Sequence, residues 1–408
     1  MTGSSTALNN PVIEQFAAML PEAQEESKNP AAQQAAFDAF AACGLPHRKV
    51  EAWKYTDVSK AVAGPFKRPH AGAFGLLVPD AVKLSMGTEF PTSGPERSER
   101  GPADAGQRPW GVANDQPFAL LSLALSHGGL QVTVPPNTVV DELVEIDLPV
   151  AGAGKLICAM LIIHVGAGSK VDFLIGPEEQ DAGSLVSSII RLNVGESASV
   201  SLTKTRTGSG ANFCQMQTRQ AANSQLSLFE LTTGGELTRN DLTAVLAGEG
   251  GEIELNGLYV GSGHHHVDNH TTIEHAVPNT SSRQLYKGIL GGHSCGVFNG
   301  RIVVKPGAKG TDALQMNRNL LSSRTAKVDT KPQLEIGNDD VRCSHGATIG
   351  RLDEAQLFYL KSRGLDPKEA EALLARGFAG EVMELVRSAT VRQRLYTLTE
   401  NFFGRENE

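Results

Sequence analysis

The chain has 408 residues, 40% hydrophobic and 20% charged, enough to bury a sizeable core in two or three domains. A net charge of -8 and a pI near 5.8 argue against nucleic acid as a main partner, and 5% aromatics are too few for base-stacking platforms. No run reaches the roughly 18 to 20 apolar residues of a membrane-spanning helix; the longest, Leu156 to Val165, is of strand length.

The N-terminal MTGSSTALNN lacks the basic and apolar regions of a secretory signal, so a cytoplasmic protein is expected. Residues Asn10 to Gly44 read as helical. The run from Pro30 to Ala42 sets Phe37 and Phe40 on one face, and Gly44 with Pro46 stops it. The next stretch, RKVEAWKYTD from Arg48 to Asp57, reads from composition as a basic surface segment with two aromatic anchors. From Phe66 to Trp110 the chain is rich in Pro, Gly, Ser and charge, which predicts linker. Asn114 to Ser126 predicts a short apolar helix with Pro117 in its first turn and Asp115 as its cap.

From about Gly129 to Cys343 short β-branched runs alternate with Gly, Asn and Ser turns, without interleaved helices, which indicates an all-β region. A weak repeat is visible. Gly166-Ala-Gly-Ser-Lys-Val171 resembles Gly195-Glu-Ser-Ala-Ser-Val200, and the pattern returns at Ala221 to Leu226 and at Gly248 to Ile253. The anchoring apolar residues 171, 200, 226 and 253 are 29, 26 and 27 positions apart. A period in the twenties is a solenoid signature, because stacked coils bury the apolar face that one coil cannot bury alone. A β-helix is therefore expected, with a sandwich or barrel as the rival. Beyond it, Asp353 to Arg363 predicts a helix ending at Gly364. Asp366-Pro367-Lys368-Glu369 opens a second, expected to run to about Arg376, and Glu381 to Arg387 and Val391 to Phe403 continue the pattern. The stripe Leu373, Leu374, Phe378, Val382, Met383 and Val386 suits packing on the chain's own domain or a docking surface.

Five cysteines (43, 158, 214, 295 and 343), an odd set without CxxC spacing, argue against a disulfide framework and a self-contained zinc site. The densest histidine cluster is His264, His265, His266 and His270, with Asp268 among them and His275 beyond. If the stretch is extended, His264, His266, Asp268 and His270 share one face, but same-face residues on one strand lie about 7 Å apart and do not easily converge on one ion. A polar ladder is the preferred reading over a metal site. Cys295 reads as a small buried hydrophobe. Cys343 and His345, two apart on an extended segment, share a face and place a thiol beside an imidazole, both metal-ligand types. The residues alone leave a packed core pair and a functional pair equally open.

The run FNGRIVVKPGAKGTDALQMNRNLLSS, from Phe298, and AKVDTKPQLEIGNDDVRCSHGATIGRLDEAQLFYLKSRGL, from Ala326, closely resemble the C-terminal signature of the SufB/SufD family of iron–sulfur cluster assembly proteins. The likeness is continuous over about Tyr286 to Leu365, and RKVEAWKYTD is similar to the family's N-terminal stretch. The chain is short for the SufB branch and lacks a CxxC-rich N-terminal region, so the resemblance is to the other branch. It implies a right-handed parallel β-helix (127–346) between an N-terminal helical region and linker (1–126) and a C-terminal helical domain (347–408). It further implies a non-catalytic scaffold subunit that pairs with SufB through the β-helix ends and binds the SufC ATPase through the C-terminal helices. His345 matches the family histidine placed at the SufB interface as a ligand of iron or a transient cluster, with Cys343 its weaker neighbour. Reduced flavin is linked to the assembled family complex, without residues here that place it. Two rival readings follow from the fold alone: an independent metal-dependent or polysaccharide-active β-helix enzyme, and a homodimer formed through open β-helix ends.

Overall fold

The computed structural model describes residues 10–69, 74–87, 116–126 and 128–405. Two nine-stranded sheets form its body. The first holds β1 (Gly75–Leu77), β4 (Val144–Asp147), β6 (Lys170–Gln180), β8 (Ser199–Gly208), β10 (Gln225–Gly234), β12 (Glu252–Gly261), β14 (Ser281–Leu290), β16 (Thr311–Leu321) and β18 (Val341–Gly350). The second holds β2 (Lys83–Gly87), β3 (Gly129–Val134), β5 (Leu156–Val165), β7 (Leu185–Val194), β9 (Ala211–Gln220), β11 (Leu237–Leu246), β13 (His266–His275), β15 (Cys295–Val304) and β17 (Lys327–Ile336). From β3 onward successive strands alternate between the sheets, and from β5 onward each pairs in parallel with the strand two before it. This is a parallel β-solenoid, not a sandwich or barrel.

The repeat seen in the sequence is the coil of that solenoid. Val171, Val200, Leu226 and Ile253 stack on one another in β6, β8, β10 and β12, all buried between the sheets. Glycine opens the repeat because successive coils touch there. A Cβ at Gly248 would lie 2.0 Å from the Ala222 backbone nitrogen, and one at Gly195 2.6 Å from that of Ala167. A side chain at Gly195 or Gly248 would displace the preceding coil, although Ala221 is accommodated at the same place in the coil between them.

The two ends of the solenoid differ. At the first end β1 pairs antiparallel with β4, and β2 antiparallel with β3, closing the parallel stack. Both strands come from the stretch expected to be linker, which corrects that reading. Leu76, Leu77, Leu84 and Met86 remain exposed, so no apolar alternation marked them. The rest of that stretch, 70–73 and 88–110, lies outside the described residues, as does Asp115. At the far end β17 and β18 are edge strands, each paired on one side only, and most of their residues are exposed or half-buried.

Helices cover the outer faces. α1 (Pro11–Ala17), α2 (Leu20–Glu25) and α3 (Pro30–Cys43) each carry a proline in the first turn, and Asn10 and Asn29 cap α1 and α3 by accepting from Val12 and Ala32 N–H groups. Gly44, at φ 71°, ends α3. α4 (Pro117–Leu125) is buried at every position, between α3 and the outer face of the second sheet, as an all-round apolar helix must be.

At the other terminus α5 (Glu354–Ser362) is followed by α6 (Pro367–Met383), opened by an Asp366–Glu369 capping box, and α7 (Ala389–Arg405). α6 does not stop near Arg376. Gly377 and Gly380 each cost about 1 kcal/mol relative to alanine. Ala375, Ala379, Val382 and Met383 bury against Phe229, Leu231, Leu258 and Val260 of the first sheet, and this packing carries the helix through. Among the described residues, no helix is long and apolar enough to cross a membrane.

Candidate functional site

Cys343 and His345 lie in β18, the last strand of the first sheet. Register places Cys343 beside Ala313 and His345 beside Gln315, both of which point into the solenoid. The two side chains therefore belong to the inner row of the final coil, where the interior opens to solvent. Cys343 is half-buried and packs against the core, whereas His345 is exposed. Partial burial raises the Cys343 thiol above its ordinary value, the Asp312 carboxylate adds to the rise, and a hydrogen bond with Ala313 opposes it. A thiol ligates a metal as thiolate, so this environment disfavours the ligating form of Cys343.

The histidine cluster is arranged differently from the expected row of four. His264 sits in the turn before β13 and stacks on His293 of the next coil, ring centroids 5.1 Å apart. His266, Asp268 and His270 do share the outer face of β13, and there they meet the N-terminal segment. Thr56 Oγ1 donates to Asp268 Oδ2 at 2.5 Å and lies 3.0 Å from His266 Nε2. Arg239 Nη1 donates to the same carboxylate at 2.8 Å, and His270 Nε2 lies 2.9 Å from its other oxygen. Burial alone would raise the Asp268 pKa, but Arg239, His270 and Thr56 together hold it well below the usual carboxylate range. The segment read as surface is thus an anchored strap, with Trp53 and Thr56 buried. A cavity of about 170 Å³ beside it is lined by Trp53, Phe118, Phe213, Arg239 and His270, far along the fold from β18.

Cys295 begins β15 beside His266 and is only half-buried, not the fully buried hydrophobe expected. Burial, with Asp329 and Asp268 nearby, pushes its thiol up to about 11. None of the five cysteines forms a disulfide. Among the described residues, no group of three or more His, Cys, Asp and Glu side chains could hold a metal ion.

His275 is fully enclosed, its ring nitrogens 2.8 Å from Thr280 Oγ1 and 2.9 Å from Ser282 Oγ. Burial lowers its pKa to about 4, against the pull of Asp312. The unfolded chain, with a histidine value of about 6.5, takes up the proton first as pH falls. The contribution of His275 is therefore complete above about pH 6.5 and is lost as pH falls toward 4. Urea unfolding at pH 7 and pH 4.5 is expected to show a drop of about 2 to 3 kcal/mol from this group, absent in His275→Asn.

Sequence reasoning missed the inner residues Gln284 and Gln315, which lead up to His345 in the same row. Past Ile253 the coils lengthen to 29, 31 and 30 residues, reaching Ser282, Ala313 and Cys343, and the neighbouring inner row then ends on His345.

Comparison with known proteins agrees with this architecture. A family model described as "SUF system FeS cluster assembly, SufBD core domain" matches residues 150–378, more than half of the chain. An iron-sulfur cluster assembly SufBD family protein of Synechocystis sp. is 29% identical over 406 residues, covering 89% of this chain and 88% of that protein. One from Mycobacterium bovis is 28% identical over 381 residues, covering 88% and 89%. The iron-sulfur cluster assembly protein SufD of Escherichia coli is 41% identical over 162 residues, 40% of this chain and 38% of that one. A parallel β-solenoid that carries the family's core domain over most of its length belongs to the SufBD family of iron–sulfur cluster assembly proteins.

Proposed function

We propose that the chain is a SufD-type scaffold subunit, itself non-catalytic, on which iron and sulfide combine into a nascent cluster. It pairs with a SufB-type subunit through the open end of the solenoid and binds a SufC-type ATPase through its C-terminal helices. His345 is the ligand it offers to iron or the cluster, with Cys343 as the weaker neighbour. The observation that carries this reading is the asymmetry of the ends. Short antiparallel strands of three and five residues edge the first end, while β17 and β18 leave two ten-residue edges that are paired on one side only among the described residues. Such edges seek a strand or a covering surface. Pro332 removes one N–H from β17, whereas β18 has no proline.

One imidazole and one thiol are at most half of a cluster's ligand set, so a second subunit has to complete it. The helical docking surface is supported by α5, which buries none of its side chains and leaves Phe358 74% and Tyr359 56% exposed. Leu373 on α6 adds to the same apolar surface character.

The test is co-purification with SufB- and SufC-type partners, wild type against His345→Ala, followed by iron and sulfide counts. The expected result is an intact complex with both chains and a cluster only in the wild type. A cluster retained by His345→Ala removes the ligand role. A wild-type chain that binds neither partner removes the scaffold reading.

A further inference from the structure

The inner positions of the first sheet form columns along the solenoid. One column runs Phe173, Leu202, Leu228, Leu255, Gln284, Gln315 and His345 from the capped end to the open end. Its aliphatic part stops at Leu255. Two amides then lead to the imidazole. Amides placed in a core where leucine fits are costly unless each polar atom is used, so the switch needs a cause.

The hydrogen bonds give the column a direction. Gln284 Nε2 donates to Thr271 Oγ1 on the facing sheet at 2.8 Å, and Gln315 Nε2 donates to Gln284 Oε1 at 2.7 Å. Gln315 thus gives its N–H back to the preceding coil. It is fully buried, and its Oε1 has no hydrogen-bond partner among the described residues. Gly300 makes the room for this amide, since a Cβ there would lie 2.5 Å from Gln315 Nε2. The next rung in register is His345. Parallel neighbours are about 4.8 Å apart, the spacing that already joins Gln284 to Gln315.

We propose that Gln315 is the positioning residue of His345. Its Oε1 accepts the N–H of the neutral imidazole, fixing one tautomer and one orientation, so that the other ring nitrogen presents its lone pair to the open end. A ligating histidine is commonly held in this way by an acceptor on its far nitrogen, and such acceptors are worth about 10- to 100-fold in metal affinity. Gln315 itself touches neither iron nor sulfide. The inference rests on the reading of His345 as a ligand, but the hydrogen bond is measurable without any metal.

The experiment is nitrogen-15 NMR of the full chain with labelled histidine at about pH 8.5, where the unperturbed imidazole is neutral. His345 is assigned by its loss in His345→Ala. Wild type is expected to show the widely split pair of shifts of a single tautomer. Gln315→Leu, the residue that earlier coils use in this column, collapses the splitting toward the average of exchanging tautomers. Gln315→Glu keeps an acceptor and restores it. Averaged shifts in the wild type overturn the proposal whether or not the leucine variant folds. An unchanged splitting in folded Gln315→Leu overturns it as well. A cluster retained by His345→Ala would instead remove the ligand reading and leave the tautomer result standing, so the two failures are separable.

Discussion

Lys204→Met is expected to destabilise the solenoid by about 3 to 5 kcal/mol, because it strands a buried carboxylate. Lys204 and Glu230 lie inside adjacent coils, with side chains 4% and 3% exposed and Nζ 2.8 Å from Oε1. Glu230 Oε2 also accepts from Tyr286 Oη at 2.6 Å. That contact crosses a coil, and it does so through Gly257, where a Cβ would stand 2.5 Å from the tyrosine ring. Lys204 further donates to Asn240 Oδ1 at 3.1 Å, and Asn240 to Asn269 Oδ1 at 2.9 Å. Methionine matches the aliphatic stem of lysine, so the loss reports charge and hydrogen bonding more than volume. The companion Lys204→Met/Glu230→Gln removes both charges and is expected to recover more than half of the loss. Denaturant unfolding of the two variants decides the point. A single variant within about 1 kcal/mol of wild type would show that Glu230 carries no buried charge.

The solenoid could be read from the sequence because the inner column Val171, Val200, Leu226 and Ile253 is apolar in four successive coils, and glycines recur where the coils approach closely. The same column continues as Ser282, Ala313 and Cys343, but there the residues become small or polar and the apolar marker fades. The shared face of Cys343 and His345 followed from strand alternation alone. Gln315 did not, since a glutamine in a strand carries no signal until register shows which neighbours it stacks between. The RKVEAWKYTD stretch was misjudged for a related reason. Its partner for Thr56 is Asp268, 212 residues away, and no local pattern marks so distant a pairing. The capping strands β1 and β2 were missed because edge strands with exposed leucines look like linker.

Trp53→Ala is expected to cost about 3 to 5 kcal/mol and to loosen the N-terminal strap and helices ahead of the solenoid. The indole is 5% exposed, packed against Phe118 and Phe213 at centroid distances of 5.7 and 6.2 Å. The Arg239 guanidinium lies 3.8 Å above it. Arg239 is fixed in turn by two 2.8 Å bonds to Asp241 and one to Asp268, and it donates to the Ala52 carbonyl at 2.7 Å. Removing the indole takes away both the apolar contact and the surface on which the cation is stacked. Because Asp268 holds Arg239 and Thr56 together, Asp268→Asn combined with Trp53→Ala is expected to be non-additive by about 0.5 to 3 kcal/mol. Hydrogen exchange reads the location of the damage. Amides of α1 and α3 should lose protection in Trp53→Ala, while those of β10 to β14 keep theirs; unchanged protection in α1 and α3 would refute the strap. The Asp268 carboxyl is depressed in the folded state, so its contribution is complete above its unfolded value of about 3.9 and is lost only as pH falls further. The loss from His275 is spread between about pH 6.5 and 4. Burial also lowers His164, His265 and the strap's own His266, so weakening in that range is shared among them, and only the part missing in His275→Asn belongs to His275.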